Sequence, residues 1–180
     1  MEKARRGDHD AFAHLTRMAA PRLDAAARLI LRDRERAEDA VQEALVRAWR
    51  DLRTLRDPER FDAWLYRLLV HACMDEARRR RRRAVEVELT PMRSPSTQDS
   101  VLSVADRDAL ERGFSRLDPE QRTLIVLHHY LDLPLPDVAE TLRIPLGTAK
   151  SRLHRALGAM RAAMEADLRP APEAAEGRPA

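Results

Sequence analysis

The spacing of the prolines constrains this 180-residue chain more than any other feature. Eleven prolines occur, yet none falls between residues 22 and 57 or between 59 and 90. Proline inside a helix removes a backbone donor and clashes with the preceding turn, so long proline-free stretches permit long helices. Aromatic residues make up only 4% of the chain, and there are five glycines. A sandwich or barrel wants more aromatic and β-branched residues and more glycine turns, so the predicted fold class is all-α.

Turn residues without helical period fill Thr90 to Ser100, including Pro91 and Pro95, and read as a linker. Polar and proline-rich composition from Arg169 onward reads as a disordered tail. The predicted organisation is two small helical domains, over 1–83 and 106–169, joined by a flexible linker over 84–105 and followed by a tail over 170–180.

Charge divides the chain in the same places. Residues 1–83 carry 21 Lys and Arg against 15 Asp and Glu, residues 106–142 carry four against eight, and residues 143–161 carry five bases and no acid. Two cationic segments separated by a weakly acidic spacer suggest two contacts with one polyanion. Of the 33 basic residues 31 are Arg, so an Ala- and Arg-rich genome accounts for the same count. The acidic 106–142 stretch is also placed to dock the arginine run of the first domain in cis.

The single cysteine, Cys73, excludes an internal disulfide framework and multi-cysteine zinc sites. Apolar runs fall short of the ~18 residues of a membrane span, and no N-terminal signal pattern precedes them. The expectation is a soluble cytoplasmic protein. His128-His129 is the one local histidine cluster, and adjacent helical positions point about 100° apart, too far to share a metal. With no glycine-rich phosphate loop and no His in register with Cys73, neither an enzyme, a metal site nor a cofactor is expected.

From Glu35 to Arg53, Ala37, Val41, Ala44, Leu45, Ala48 and Leu52 fall within about 60° of one line and form the predicted core face. Asp39, Gln42, Glu43, Val46 and Arg50 gather on the opposite side. Val46 is an aliphatic residue among polar ones; a partner surface needs it, whereas a wet face with one stray Val does not. After Asp57-Pro58, the residues Phe61, Trp64, Leu65, Leu68, Leu69 and Ala72 recur at helical steps and are predicted core. The other side of that helix carries Arg67, His71 and Asp75 and leads into six consecutive arginines, Arg78–Arg83. Positive charge at a helix C-terminus is favoured by the macrodipole, and phosphates would relieve its self-repulsion.

In the second domain Asp118 is an N-cap with Pro119 at the first helical position. Asp137–Leu142 gives a short helix, Arg143-Ile144-Pro145 a tight turn, and Leu146 to about Met164 a longer basic helix. That order is the helix-turn-helix. On the last helix Leu146, Ala149, Leu153, Ala156, Leu157 and Met160 share one arc. The opposite face presents Gly147, Thr148, Ser151, His154, Arg155 and Gly158, flanked by Lys150 and Arg152. Small residues near its N-terminus let that end approach a groove, and Thr, Ser and Arg supply donors for base edges and phosphates.

Taken together, these stretches resemble an extracytoplasmic-function (ECF) sigma factor of the sigma-70 superfamily. Ala37-Glu-Asp-Ala-Val-Gln-Glu-Ala44, Arg47-Ala-Trp49 and Phe61-Asp-Ala-Trp-Leu65 are similar to region 2. Leu117-Asp-Pro-Glu-Gln-Arg122 and Ile144-Pro-Leu-Gly-Thr-Ala-Lys-Ser-Arg-Leu-His-Arg-Ala156 are similar to region 4. The resemblance implies binding to core RNA polymerase through Asp39, Gln42, Glu43, Val46 and Arg50. It implies −10 contacts from Tyr66, Arg67, His71, Arg78, Arg79 and Arg80, with the loop at about 51–62 capturing a flipped base. It implies −35 contacts from Gly147, Thr148, Lys150, Ser151, Arg152, His154 and Arg155, and an anti-sigma factor as a further partner.

Four positions depart from the family pattern. Arg143 stands where the turn usually has Gly, so the turn is either looser or carries a left-handed Arg. Ala149 replaces a usual Val beneath the last helix, Val70-His71 stands where Arg-Asn is common, and Arg32 replaces a common Gly before Asp33 with no functional effect expected. The competing class is a stand-alone helix-turn-helix repressor. It accounts for the second domain but not for the Val46 seam or the arginine-ended helix.

Overall fold

The computed structural model describes residues 1–86 and 104–166, and every regular element among them is helical. The expected tail over 170–180 and most of the expected linker lie outside the described residues. The first unit comprises α1 (Glu2–Arg5), α2 (His9–Leu31), α3 (Arg34–Asp51) and α4 (Phe61–Glu86). Two short 3-10 turns, Leu52–Thr54 and Pro58–Arg60, bridge α3 to α4. The second unit comprises α5 (Val104–Ser115), α6 (Pro119–Ile125), α7 (Leu135–Leu142) and α8 (Leu146–Ala166), with a π turn at Val126–Tyr130 extending α6. Helix α4 thus runs three residues past the predicted boundary at 83, and α5 begins two before 106.

Local chemistry sets the helix starts. The Asp8 carboxylate accepts from the Ala11 amide at 2.9 Å and Asp33 from the Arg36 amide at 3.2 Å. At α6 Asp118 accepts from the Gln121 amide at 2.8 Å while the Gln121 side chain accepts from the Asp118 amide at 3.0 Å, a complete capping box. The stops are less usual. Arg32 closes α2 at φ 53 and Arg143 closes α7 at φ 54, left-handed positions that glycine normally takes. The turn before α8 is therefore a tight one carrying a left-handed Arg, with the Ile144 amide bonding the Ala139 carbonyl at 3.0 Å.

Packing follows from small residues. Ala37, Ala40, Ala44 and Ala48 of α3 are buried against Leu65, Leu69 and Cys73 of α4 and Ile30 of α2, so the helices approach closely. In the second unit Leu124, Leu127, Val138, Ala149, Leu153 and Ala156 are buried. Gly113 of α5 lies so near α8 that a Cβ there would stand 2.9 Å from Met160 Cγ. Leu146 departs from expectation: it is 39% exposed, because it opens the first turn of α8, before the helix reaches the core.

The two units lie against each other, and their buried residues form one continuous cluster. Contacts run from α2 to α6 and the π turn and from α4 to α6 and α7. Arg22 meets Asp132 there at 3.1 Å, Arg32 meets Glu111 at 3.7 Å, Arg60 meets Asp137 at 3.7 Å and Arg67 meets Glu140 at 3.2 Å. The acidic stretch does dock in cis, but on these four scattered arginines, Arg32 among them, while Arg78 and Arg79 of the run pair within their own helix. Arg122 of α6 is buried at this seam, donating to Leu117 O at 2.6 Å, Phe114 O at 3.4 Å and, across the seam, Ile30 O at 2.6 Å.

Candidate functional site

Three surfaces carry the side chains singled out from the sequence. The first is on α3. Asp39, Gln42, Val46 and Arg50 are exposed, and Val46 shows 38% of its surface. Glu43 is half-buried because Arg47 holds it at 2.7 Å, while Arg47 also reaches Asp75 of α4 at 3.4 Å. These five residues therefore share one face, as the helical period predicts. Beside it runs an apolar groove that includes Phe12, Val41, Leu45, Val46 and Trp49. His9 stacks on Trp49 with ring centres 4.3 Å apart, and Phe12 meets the same ring edge-on at 5.0 Å. Val41 and Leu45 are partly buried rather than core, and His9 and Phe12 join them from α2. The helical period places Val41 and Leu45 correctly in angle but says nothing of whether a neighbouring helix fills the space beside them.

The second surface is on α4, and its two ends differ. At the C-terminal end Arg78 and Arg79 are exposed and pair with Asp75 and Glu76 of their own helix at 3.2 and 3.4 Å, and Arg80 is exposed. Nearer the start, Tyr66 is only 6% exposed, with Arg22 and Tyr130 beside it, and its burial pushes its pKa up. Arg67 reaches across to Glu140 of α7 at 3.2 Å, and its Nε is buried with no acceptor among the described residues. His71 is half-buried. Burial first, then the nearby Arg143 of the α7–α8 turn, lowers its pKa from the usual histidine value. Tyr66, Arg67 and His71 therefore sit under the second unit in this conformation. A helical period cannot report such a cover, brought from 70 residues away.

The loop between α3 and α4 is anchored by buried Leu52, Leu55 and Phe61, with its polar residues outward. It is tied to the N-terminus: the Arg5 guanidinium donates to Arg53 O at 3.4 Å and Arg53 Nε donates to Arg5 O at 3.2 Å.

The third surface is the outer face of α8. Gly147, Lys150, Ser151, His154 and Arg155 are exposed, Thr148 and Arg152 half-buried. A Cβ added at Gly147 or Gly158 would meet nothing within 4 Å, so this face is open along its length. Ser151 Oγ donates to Thr148 O at 3.1 Å and Arg155 Nε to Ser151 O at 3.3 Å, which steers the Arg155 side chain along the helix. Arg152 is held by Glu120 of α6 at 3.1 Å and is thus the least available cation of the set.

Cys73 has no part in any of these surfaces. It is buried, and burial pushes its thiol up to about 12, so it stays protonated and unreactive at neutral pH. Among the described residues no helix is long and apolar enough to cross a membrane.

Comparison with known proteins agrees with the geometry. The Sigma-70 region 2 family matches residues 15–83, and the Sigma-70, region 4 family matches residues 107–160. The chain is 35% identical over 157 residues to the ECF RNA polymerase sigma factor SigM of Mycobacterium tuberculosis, covering 83% of this chain and 75% of that one. It is 28% identical over 173 residues to the ECF RNA polymerase sigma factor SigW of Bacillus subtilis, covering 89% and 92%. Its fold is similar to that of the sigma factor RpoE in complex with the anti-sigma factor NepR from Bartonella quintana, with a TM-score of 0.73 at 23% identity over 86% of this chain and 99% of that one. It is also similar to CnrH in complex with the cytosolic domain of CnrY, with a TM-score of 0.65 at 27% identity over 92% and 95%.

Proposed function

The chain belongs to the ECF sigma factors of the sigma-70 superfamily, and from that premise we propose how its three surfaces divide the work of starting transcription. It is an alternative sigma factor that directs core RNA polymerase to promoters, and a regulator of transcription. The α3 face of Asp39, Gln42, Glu43, Val46 and Arg50 docks on core polymerase, with Val46 as the apolar anchor among polar neighbours. The α4 face of Tyr66, Arg67, His71, Arg78, Arg79 and Arg80 takes the −10 element, and the loop at 51–62 receives a base flipped from the opened duplex. The α8 face enters the major groove of the −35 element, with Gly147 and Thr148 leading. Lys150 and Arg152 anchor phosphates, and Ser151, His154 and Arg155 face base edges. We place promoter DNA, core polymerase and an anti-sigma factor among its partners, and its site of action at the cytoplasmic nucleoid.

One observation supports this reading above the others. A region 2 unit with an exposed, Val-centred polar seam and a region 4 unit with an open basic helix occur in one chain, in that order. A stand-alone repressor uses only the second unit and leaves the first without a task. Run-off transcription from a genomic fragment library, with core polymerase and this protein, tests the proposal. Discrete start sites that share two spaced elements are expected. Binding to DNA without any start site would instead favour the repressor.

A further inference from the structure

Helix α1 is four residues long, yet it is firmly placed. The Gly7 amide bonds Ala4 O at 3.0 Å and the Asp8 amide bonds Lys3 O at 3.2 Å, with Gly7 at φ 96, a left-handed stop that suits glycine. Asp8 then caps α2. Ala4 is buried, and α1 packs on α2 and on the 3-10 turn Leu52–Thr54.

The last residue of α1 and the middle of that turn serve each other. Arg53 Nε donates to Arg5 O at 3.2 Å, and the Arg5 guanidinium donates to Arg53 O at 3.4 Å. Both carbonyls stand at helix ends, where they lack helical partners and the dipole favours a cation. Two guanidiniums are thereby drawn to one exposed junction. Neither meets a carboxylate among the described residues, whereas the neighbouring Arg6 meets Glu2 at 3.3 Å. A guanidinium has five N–H donors, so both forks keep donors to spare.

The loop that begins at this junction has the wrong sign for DNA. Residues 51–62 hold four acids and three arginines. One of those arginines, Arg60, is held by Asp137 at 3.7 Å. A phosphate backbone led past such a loop needs cations from outside it. Helix α1 brings them, since residues 1–6 carry Lys3, Arg5 and Arg6 against Glu2 alone. Converging guanidiniums that are positioned by carbonyls, and so not neutralised, suit an oxyanion that accepts several N–H bonds at once.

We propose that Arg5 and Arg53 form a two-arginine clasp for one backbone phosphate of single-stranded DNA, beside the base that the loop at 51–62 receives. The placement beside that base rests on the role assigned above to the loop; the phosphate site itself does not. Arg5 lies ahead of the residues matched to region 2, so this contact adds to those read from the family.

The test titrates the full chain with labelled single-stranded oligonucleotides of mixed sequence between about 50 and 200 mM salt. Arg5→Gln with Arg53→Gln should bind about three- to tenfold more weakly, and its log–log salt slope should fall by about 0.7, the share of one phosphate on a single strand. Arg17→Gln with Arg34→Gln removes the same charge from exposed positions of α2 and α3 and should change affinity less than about twofold. Arg5→Lys with Arg53→Lys keeps both charges and should recover the slope. An equal loss in the α2–α3 variant overturns the clasp, because the effect is then one of net charge. A lysine variant as weak and as shallow in slope as the glutamine variant also overturns it, because the pair then acts only by shaping the loop. The same oligonucleotides with 2-aminopurine in place of adenine report a base leaving the stack. Weaker binding by the glutamine variant with no 2-aminopurine response in any protein supports the phosphate site and places the failure in the role given to the loop.

Discussion

The Arg122 guanidinium of α6 bonds the carbonyl of Ile30, 92 residues away in the chain, at 2.6 Å. Ile30 lies in the last turn of α2, where carbonyls lack helical partners and the dipole favours a cation. The same guanidinium serves Leu117 O at 2.6 Å, so one side chain ends a loop of its own unit and caps a helix of the other. Burial, then Arg32, lowers its pKa to about 10, so it is still charged at neutral pH.

Replacing Arg122 with Met should cost about 2–4 kcal/mol, because a buried charged donor is lost and its carbonyls stay buried without it. Arg122→Lys keeps the charge but not the fork, and should lose less while failing to serve both carbonyls. Urea unfolding of the three proteins checks this. Equal stability of the Met variant and the wild type would show that solvent already satisfies those carbonyls.

On the α3 face, Gln42→Ala with Val46→Asp should leave the melting temperature nearly unchanged, since both side chains are exposed. It should weaken binding to core polymerase by about 1–3 kcal/mol, the usual worth of a desolvated anchor. Titration of labelled protein against core polymerase measures it. Undiminished affinity would move the interface elsewhere, the Trp49 groove being the next surface to probe.

How far the sequence reaches is visible in particular residues. Asp118 and Pro119 announce the start of α6 because capping is local chemistry, and the Gln121 side chain completes the box in the structure. The open face of α8 and the seam on α3 follow from the 100° step for the same reason. Leu146 is misplaced by that step because the first turn of a helix projects beyond the core that the later turns meet. Arg67 reads as surface because its partner Glu140 is far away in sequence, and nothing local to Tyr66 signals its burial. The charge blocks do foretell that acidic 106–142 seeks the basic first unit. They do not say which arginines it finds, since that depends on where Arg22, Arg32, Arg60 and Arg67 emerge from folded helices.

For the α8 face, Arg155→Ala should lose about 1–3 kcal/mol of DNA binding and relax preference at one or two −35 positions. Lys150→Ala should weaken all sequences alike and flatten the salt dependence. Gly147→Ala separates approach from folding. Nothing lies within 4 Å of the added Cβ, and Ala favours the helix by about 0.5–1 kcal/mol, so the protein should be as stable or more so, yet bind −35 DNA less well if that end enters the groove closely. Binding isotherms on matched and mismatched duplexes distinguish the three, and parallel losses for Arg155 and Lys150 across every sequence would defeat the assignment of base and phosphate contacts.

Acid should open the seam through His71. Arg143 faces it from the α7–α8 turn, Arg47 from α3, and Arg67 and Asp75 from its own helix; burial and then Arg143 dominate, and the pKa is lowered. A lowered histidine pKa means that the closed form takes up a proton less readily than the open form, in which His71 regains water and Arg143 departs. The closed form is thus undisturbed above the ordinary histidine pKa of about 6.5 and loses ground as pH falls below it. The distance between spin labels on cysteines introduced at exposed Met18 and Ala159 should lengthen between about pH 7.5 and 5.5 in the wild type. His71→Gln should flatten that response, because no proton is taken up there. Arg143→Gly should reduce it by removing the facing charge, and should itself raise stability by up to about 1 kcal/mol, since glycine adopts φ 54 without the Cβ penalty. A response of full size in the His71→Gln protein would assign the acid sensitivity to the carboxylates of the seam and not to His71.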